Sequence, residues 1–94
     1  MRKLFWDKSF TRAFKKRIRK NPSLQDHILN VIETLTKDPF EPQLKTHKLK
    51  GQLEGLWACV VEYDCRIVFV FEKDPDSPHD AIVLIDIGTH DEVY

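Results

Sequence analysis

Apolar residues along this chain change their spacing near its middle. Phe10, Phe14 and Ile18 recur at helical intervals, and so do Leu24, Ile28, Val31, Ile32 and Leu35. Residues 56–63, 67–73 and 81–87 are instead dense runs of Val, Ile, Leu and aromatics. A period of about 3.6 marks an amphipathic helix, and short apolar runs bounded by turn residues mark strands. The first helix should start at a cap from Asp7 or Ser9 and run to about Lys20, where Asn21-Pro22 stops it. Ser23, with Asp26 placed as a capping-box acid, should start the second. Asp38-Pro39 ends it, because the residue before proline avoids the helical region. The join between the helices is short enough to make them an antiparallel hairpin.

Lys3-Leu4-Phe5-Trp6 reads as a short first strand, Asp64-Cys65 as the tight turn of a later hairpin, and residues 74–80 as a polar loop. Both faces of residues 67–71 are apolar, as in a central strand covered by helices on at least one side. The order β-α-α-β-β-β predicts an α+β layer. Residues 40–55 form a long connection carrying Lys45, His47, Lys48 and Lys50. Such connections often bear function, because a rigid scaffold positions them.

The chain has 94 residues, 41% hydrophobic and 32% charged, which fits one soluble globular domain spanning 1–94. Its apolar runs are too short for a membrane span, and the first residues lack the apolar core of a signal peptide. The expectation is a cytoplasmic protein with no membrane partner. Cys59 and Cys65 match no metal-binding spacing and should be reduced, buried apolar residues.

Net charge is zero, yet the charge is divided. Residues 1–50 hold thirteen Lys/Arg and five Asp/Glu, a net of +8; residues 51–94 hold two and ten, a net of −8. Either the basic half faces a polyanion or it is a solvated helix face.

The polar residues that stand out suit metal-free cleavage of RNA. That chemistry needs a group to take the 2′-OH proton, a cation for the crowded phosphate and an acid for the leaving oxygen. His90 follows the last predicted strand and a glycine; His47 is flanked by Lys45, Lys48 and Lys50, which could hold a phosphate. Arg66 is either a phosphate clamp or a cross-strand partner of Asp64 or Glu62. Asp64 is a turn former or a carboxylate that orients an imidazole. Tyr94 is a loose chain end or a platform for a base. No pair of closely spaced ligands announces a zinc site among His47, His90 and Asp64, so no metal and no other cofactor is expected.

Leu44-Lys45-Thr46-His47-Lys48-Leu49-Lys50-Gly51, Gly55-Leu56-Trp57, Tyr63-Asp64-Cys65-Arg66-Ile67-Val68 and Asp86-Ile87-Gly88-Thr89-His90 together resemble the RelE/ParE toxin superfamily. The branch they look most like is the YafQ-like mRNA interferases of type II toxin–antitoxin systems. The resemblance implies a toxin that cuts mRNA, typically on the ribosome, and is silenced by a cognate antitoxin. It also implies a twisted antiparallel sheet with two N-terminal helices packed on it. His47 matches the family's histidine before a Leu-x-Gly segment, and His90 its C-terminal catalytic histidine, the usual acid. Asp64 matches a carboxylate implicated in the YafQ-like site, Arg66 a phosphate-binding arginine and Tyr94 a C-terminal aromatic near substrate. Lys45, Lys48 and Lys50 would then bind RNA. Two positions depart: Val60 stands where these enzymes carry a further histidine, and Asp86 replaces an arginine before Gly-Thr-His. The alternatives are a gyrase-inhibiting toxin of the ParE branch, which generally lacks the paired histidines, or a degenerate antitoxin-binding module.

Overall fold

A computed structural model describes residues 2–94. Strand β1 (Leu4–Trp6) leads into helix α1 (Lys8–Lys20) through Asp7, whose carboxylate accepts a hydrogen bond from the Ser9 N–H. Helix α2 (Leu24–Lys37) follows after three residues. Its start differs from expectation: the Ser23 side chain makes no capping bond, and its hydroxyl donates to Asn21 Oδ1 at 2.6 Å instead. Asp38 closes α2, its N–H reaching the Thr34 carbonyl.

The rest is sheet. Strands β2 (His47–Lys48), β3 (Trp57–Glu62), β4 (Cys65–Glu72) and β5 (Ala81–Gly88) precede a terminal helix α3 (His90–Val93). Short 3-10 turns occupy Pro42–Leu44 and Gly51–Leu53. The order across the sheet is β1-β5-β4-β3-β2.

The α+β class stands, with three refinements. The sheet is mixed and not antiparallel throughout, because β1 runs parallel to β5. The chain leaves β1 through α1 and α2 and returns several strands later, so no tight turn forces β1 and β5 to oppose each other. The hairpin turn is Tyr63-Asp64, one residue earlier than expected; Cys65 already belongs to β4 and is fully buried. The small strand β2 and the helix α3 are additional elements.

One sheet face meets the helices. Phe10 and Ile28 pack with Cys59, Ile67, Phe69, Ile82 and Leu84 in a single core. Trp6 closes its edge, its ring 5.0 Å from that of Phe10 and 5.1 Å from that of Phe14. Leu84 and Ile87 are both in this core, although three residues apart on a strand they should point oppositely. A bulge resolves this: Val68 pairs with Asp86 and Phe69 with Leu84, leaving Ile85 as the extra residue.

Candidate active site

Cross-strand partners project to the same side of a sheet. His47 pairs with Ala58, Ala58 with Val68, and Val60 with Arg66. Cys59, Val61, Cys65 and Ile67 alternate with these and face the helices, so His47 and Arg66 occupy the opposite, open face. Arg66 also pairs with Gly88, the last residue of β5. The register thus brings together a basic edge strand, the start of β4 and the chain end.

Helix α3 is four residues long and stands on a capping box. The Thr89 hydroxyl accepts from the Glu92 N–H at 3.2 Å, and Glu92 Oε1 accepts from the Thr89 N–H at 2.8 Å. The Glu92 carboxyl is held below its ordinary range chiefly by that Thr89 N–H. Val93 is buried beneath the helix, leaving His90 and Tyr94 on its outer side.

Tyr94 lies between the two histidines. Its ring meets His90 edge-on at 4.5 Å and His47 at 6.4 Å, and its hydroxyl is 3.5 Å from His47 Nε2. His47 Nδ1 is 2.9 Å from the Lys45 carbonyl oxygen. A carbonyl only accepts, so Nδ1 is the donor in that contact, which leaves Nε2 as the acceptor of the neutral ring. Lys45 makes this possible with φ of +50°, a left-handed conformation uncommon for lysine. Burial pushes the Tyr94 phenol above its usual value, while the Arg66 guanidinium pulls the other way. The phenol is therefore protonated at neutral pH, with its hydroxyl facing His47 Nε2.

Arg66 Nη2 donates to the Tyr63 carbonyl at 3.3 Å, and its shielded Nε has no partner among the described residues. Asp64 stands apart on the exposed turn. Neither imidazole uses its carboxylate: His47 turns to Lys45, and His90 Nδ1 lies 3.6 Å from Asp91. Lys48 pairs with Trp57 and so projects away from His47; its Nζ is 5.5 Å from the centre of the indole. Lys50 lies beyond the end of β2, on the same loop.

One positioning residue went unread in the sequence. Arg17 reaches from α1 to the hairpin, its Nη2 donating to the Asp64 carbonyl at 2.8 Å. It lies beside the Phe10, Phe14 and Ile18 stripe of α1, and nothing in its local sequence marks a partner 47 residues away. Asp86, by contrast, is carried by the bulge into a cleft with Lys16, Arg17, Lys20 and Glu92, where burial pushes its carboxyl up. Burial raises the thiol of Cys59 to about 12 and that of Cys65 in the same direction, which keeps both protonated. Among the described residues no three His, Cys, Asp or Glu side chains converge as metal ligands. No helix there is long and apolar enough to cross a membrane.

A helix-backed sheet of this order is the fold of RelE/YoeB-like toxins. YafQ from E. coli strain BL21(DE3) superposes with a TM-score of 0.78 at 16% identity, covering 100% of this chain and 99% of that one. YafQ in the E. coli DinJ–YafQ toxin–antitoxin complex gives 0.75 at 16% identity, over 99% and 97%. A metal-bound toxin from Helicobacter pylori gives 0.77 at 25% identity, over 100% of both chains. No curated protein matches in sequence. The model of the YafQ family, bacterial toxins of type II toxin–antitoxin systems, matches residues 2–94, and the chain belongs to that family.

Proposed function

We propose that this toxin is a metal-independent endoribonuclease that cleaves mRNA, with the ribosome presenting the message. The observation that carries the reading is the convergence of His47, Tyr94 and His90 on the open face, with His47 Nδ1 turned to the Lys45 carbonyl and Arg66 beside Tyr94. In this reading Nε2 of His47 takes the proton from the 2′-OH, and the 2′-oxygen attacks the adjacent phosphorus. Arg66 stabilises the added negative charge, Lys45 and Lys50 hold the flanking phosphates, and Lys48, which projects away from His47, meets the RNA further along its path. The imidazolium of His90 gives its proton to the departing 5′-oxygen as the P–O bond breaks. The products are a 2′,3′-cyclic phosphate and a 5′-hydroxyl. Tyr94 fixes the ring of His90 and offers a face to a base. Asp64 tunes the neighbouring Arg66 from the turn.

The partner in this reading is a cognate antitoxin with acidic or apolar segments that cover the basic face. The E. coli DinJ–YafQ toxin–antitoxin complex supports an antitoxin partner. Message and ribosome place the activity in the cytoplasm.

The test is induced expression of wild type, His90→Ala and Arg66→Ala without antitoxin, with mRNA 5′ ends mapped in each culture. In-frame 5′-hydroxyl ends that need both residues are expected. Growth arrest with intact mRNA, unchanged by either substitution, would favour a gyrase poison. Harmless expression of the wild type would favour a degenerate antitoxin-binding module. Cleavage by purified toxin should persist in a chelator; its loss would overturn the metal-independent mechanism.

A further inference from the structure

Three residues in the connection between α2 and β3 have positive φ: Lys45 at +50°, Gly51 at +68° and Gly55 at +94°. Glycine is the usual occupant of that region, because a Cβ there crowds the following carbonyl. Among the described residues Lys45 is the one residue other than glycine that enters it. Its neighbours hold it there. Leu44 ends the Pro42–Leu44 turn and is buried in the core. The Lys45 N–H reaches the Pro42 carbonyl at 3.2 Å, and the Thr46 hydroxyl donates to the Pro39 carbonyl at 2.5 Å.

Where the Lys45 carbonyl points depends on ψ. It is +40° here, against about +135° in an extended residue, so leaving the left-handed region would swing the oxygen through about 95°. That oxygen now lies 2.9 Å from His47 Nδ1. On the other side of the ring, the Tyr94 hydroxyl stands 3.5 Å from Nε2, and a hydroxyl can donate or accept. The carbonyl can only accept, so it alone dictates which nitrogen of the neutral ring bears the proton.

We propose that Lys45 is a positioning residue that acts through its main chain: its left-handed backbone aims its carbonyl at His47 Nδ1, keeps the ring proton there and leaves Nε2 free to take the proton of the 2′-OH. The proposal rests on the ribonuclease reading above and gives Lys45 a role separate from its ammonium. A free histidine side chain favours the opposite tautomer, with the proton on Nε2 and no lone pair there for a base. A carbonyl also orients the ring without the counter-charge that a carboxylate such as Asp64 would bring. When Nε2 accepts the proton, the imidazolium keeps its Nδ1–H on the same carbonyl. After the products leave, the Nε2 proton returns to solvent.

The test compares Lys45→Gly, Lys45→Asn and Lys45→Val. All three remove the ammonium, so differences among them report the main chain alone. Glycine and asparagine enter the left-handed region readily, whereas a β-branched residue resists it. The toxin is labelled with ring-15N histidine and its imidazole nitrogens are read by NMR at about pH 8.5, well above the ordinary histidine range. The His47 signals are those that vanish in His47→Gln. Wild type, Lys45→Gly and Lys45→Asn should show His47 with the proton on Nδ1. Lys45→Val should shift it towards Nε2, and its kcat for RNA cleavage should fall about tenfold or more below that of Lys45→Gly at similar KM. Where Lys45→Val does not fold, Lys45→Ala against Lys45→Gly makes the same comparison, because alanine also disfavours the left-handed region.

A wild-type His47 with its proton on Nε2 would overturn the positioning role and leave the nuclease reading intact. So would a β-branched or alanine variant matching Lys45→Gly in both tautomer and kcat. The expected tautomers with no RNA cleavage by the wild type would overturn the nuclease reading, and with it the catalytic purpose assigned to Lys45.

Discussion

Arg17→Met removes the one side-chain tether from α1 to the β3–β4 turn while retaining a long apolar stem. Two effects compete. The Arg17 Nη2 bond to the Asp64 carbonyl, 2.8 Å long and charge-assisted, is of a kind worth about 1.5–3 kcal/mol. Asp64 is exposed and its carbonyl can turn to water once released, which puts the loss near the lower end. Against it stands the shielded Arg17 Nε, which has no partner; relief of such a donor returns about 1 kcal/mol. The net global change is then about 0.5–1 kcal/mol, a fall in Tm of about 2–8 °C for a chain of this size. The local change is larger, because the turn loses the whole bond: about 1.5 kcal/mol is roughly a twelvefold rise in opening. The assay is thermal unfolding beside amide hydrogen exchange, followed at the hairpin end around Cys65 and in the middle of β4. Fast exchange confined to the hairpin end, with a modest Tm shift, is the expected pattern. Exchange at Cys65 equal to wild type would refute the tether, and a fall in Tm beyond about 15 °C would show that Arg17 belongs to the core.

Tyr94→Phe keeps the ring against His90 and removes a hydroxyl 3.5 Å from His47, too long for a full hydrogen bond. RNA cleavage should fall by about threefold or less, whereas Tyr94→Ala, which frees the His90 ring, should lose much more; equal losses in a kcat/KM comparison would contradict this division. Thr89→Ala removes half of the α3 capping box and should cost about 1 kcal/mol locally, with Thr89→Ser restoring it, as read by exchange at the Glu92 amide. Because the folded Glu92 pKa is below the ordinary 4.5, its share of that cap is present above pH 4.5 and is lost as pH falls through the folded value. Asp86 has the opposite sign: its folded pKa is raised by burial, so ionisation opposes folding, and the handicap appears as pH rises above the ordinary 3.8. Asp86→Asn should raise Tm slightly at pH 7 and leave it unchanged near pH 3; a lower Tm at pH 7 would show that the carboxylate is net stabilising there.

The helices and long strands were legible because each carries its own period: Phe10 and Phe14 in α1, Ile28 and Leu35 in α2, Ile67 and Phe69 in β4. Strand β2 has no such mark. His47-Lys48 is a strand only through its pairing with Ala58 and Trp57, a partnership that local pattern does not encode. Helix α3 is shorter than any segment that would be helical alone and depends on the Thr89–Glu92 box and buried Val93. The parallel entry of β1 beside β5 is a tertiary choice. Site residues could be named from their chemistry and their resemblance to a family, but not their contacts. His47 meets Tyr94 across 47 residues of chain, and Lys48, adjacent in sequence, points away from it. Asp64 looked like an imidazole partner by type, whereas the histidines use Lys45 and Asp91.

The slightness of β2 and α3 bears on how the site would act. Strand β2 has two residues and α3 four, and both histidines are exposed. A unit-charge pair 4 Å apart is worth about 1 kcal/mol in water and about 4 kcal/mol where the effective dielectric constant is near 20. On the ribonuclease reading, Arg66 and the loop lysines would therefore stabilise a phosphorane-like transition state several times better once water is displaced from the open face. The groups that would close on the phosphate sit on two small elements that meet at the Tyr94–His47 contact, so the chain itself supplies little to exclude water there. On the ribonuclease reading, the covering surface comes from whatever holds the message. Bare RNA of the same sequence, covering only its own path across β2 and α3, should be cut far more slowly than RNA held against a large surface. This dependence follows from the exposure of His47 and His90 and requires no specific contact between α1 and the presenting surface.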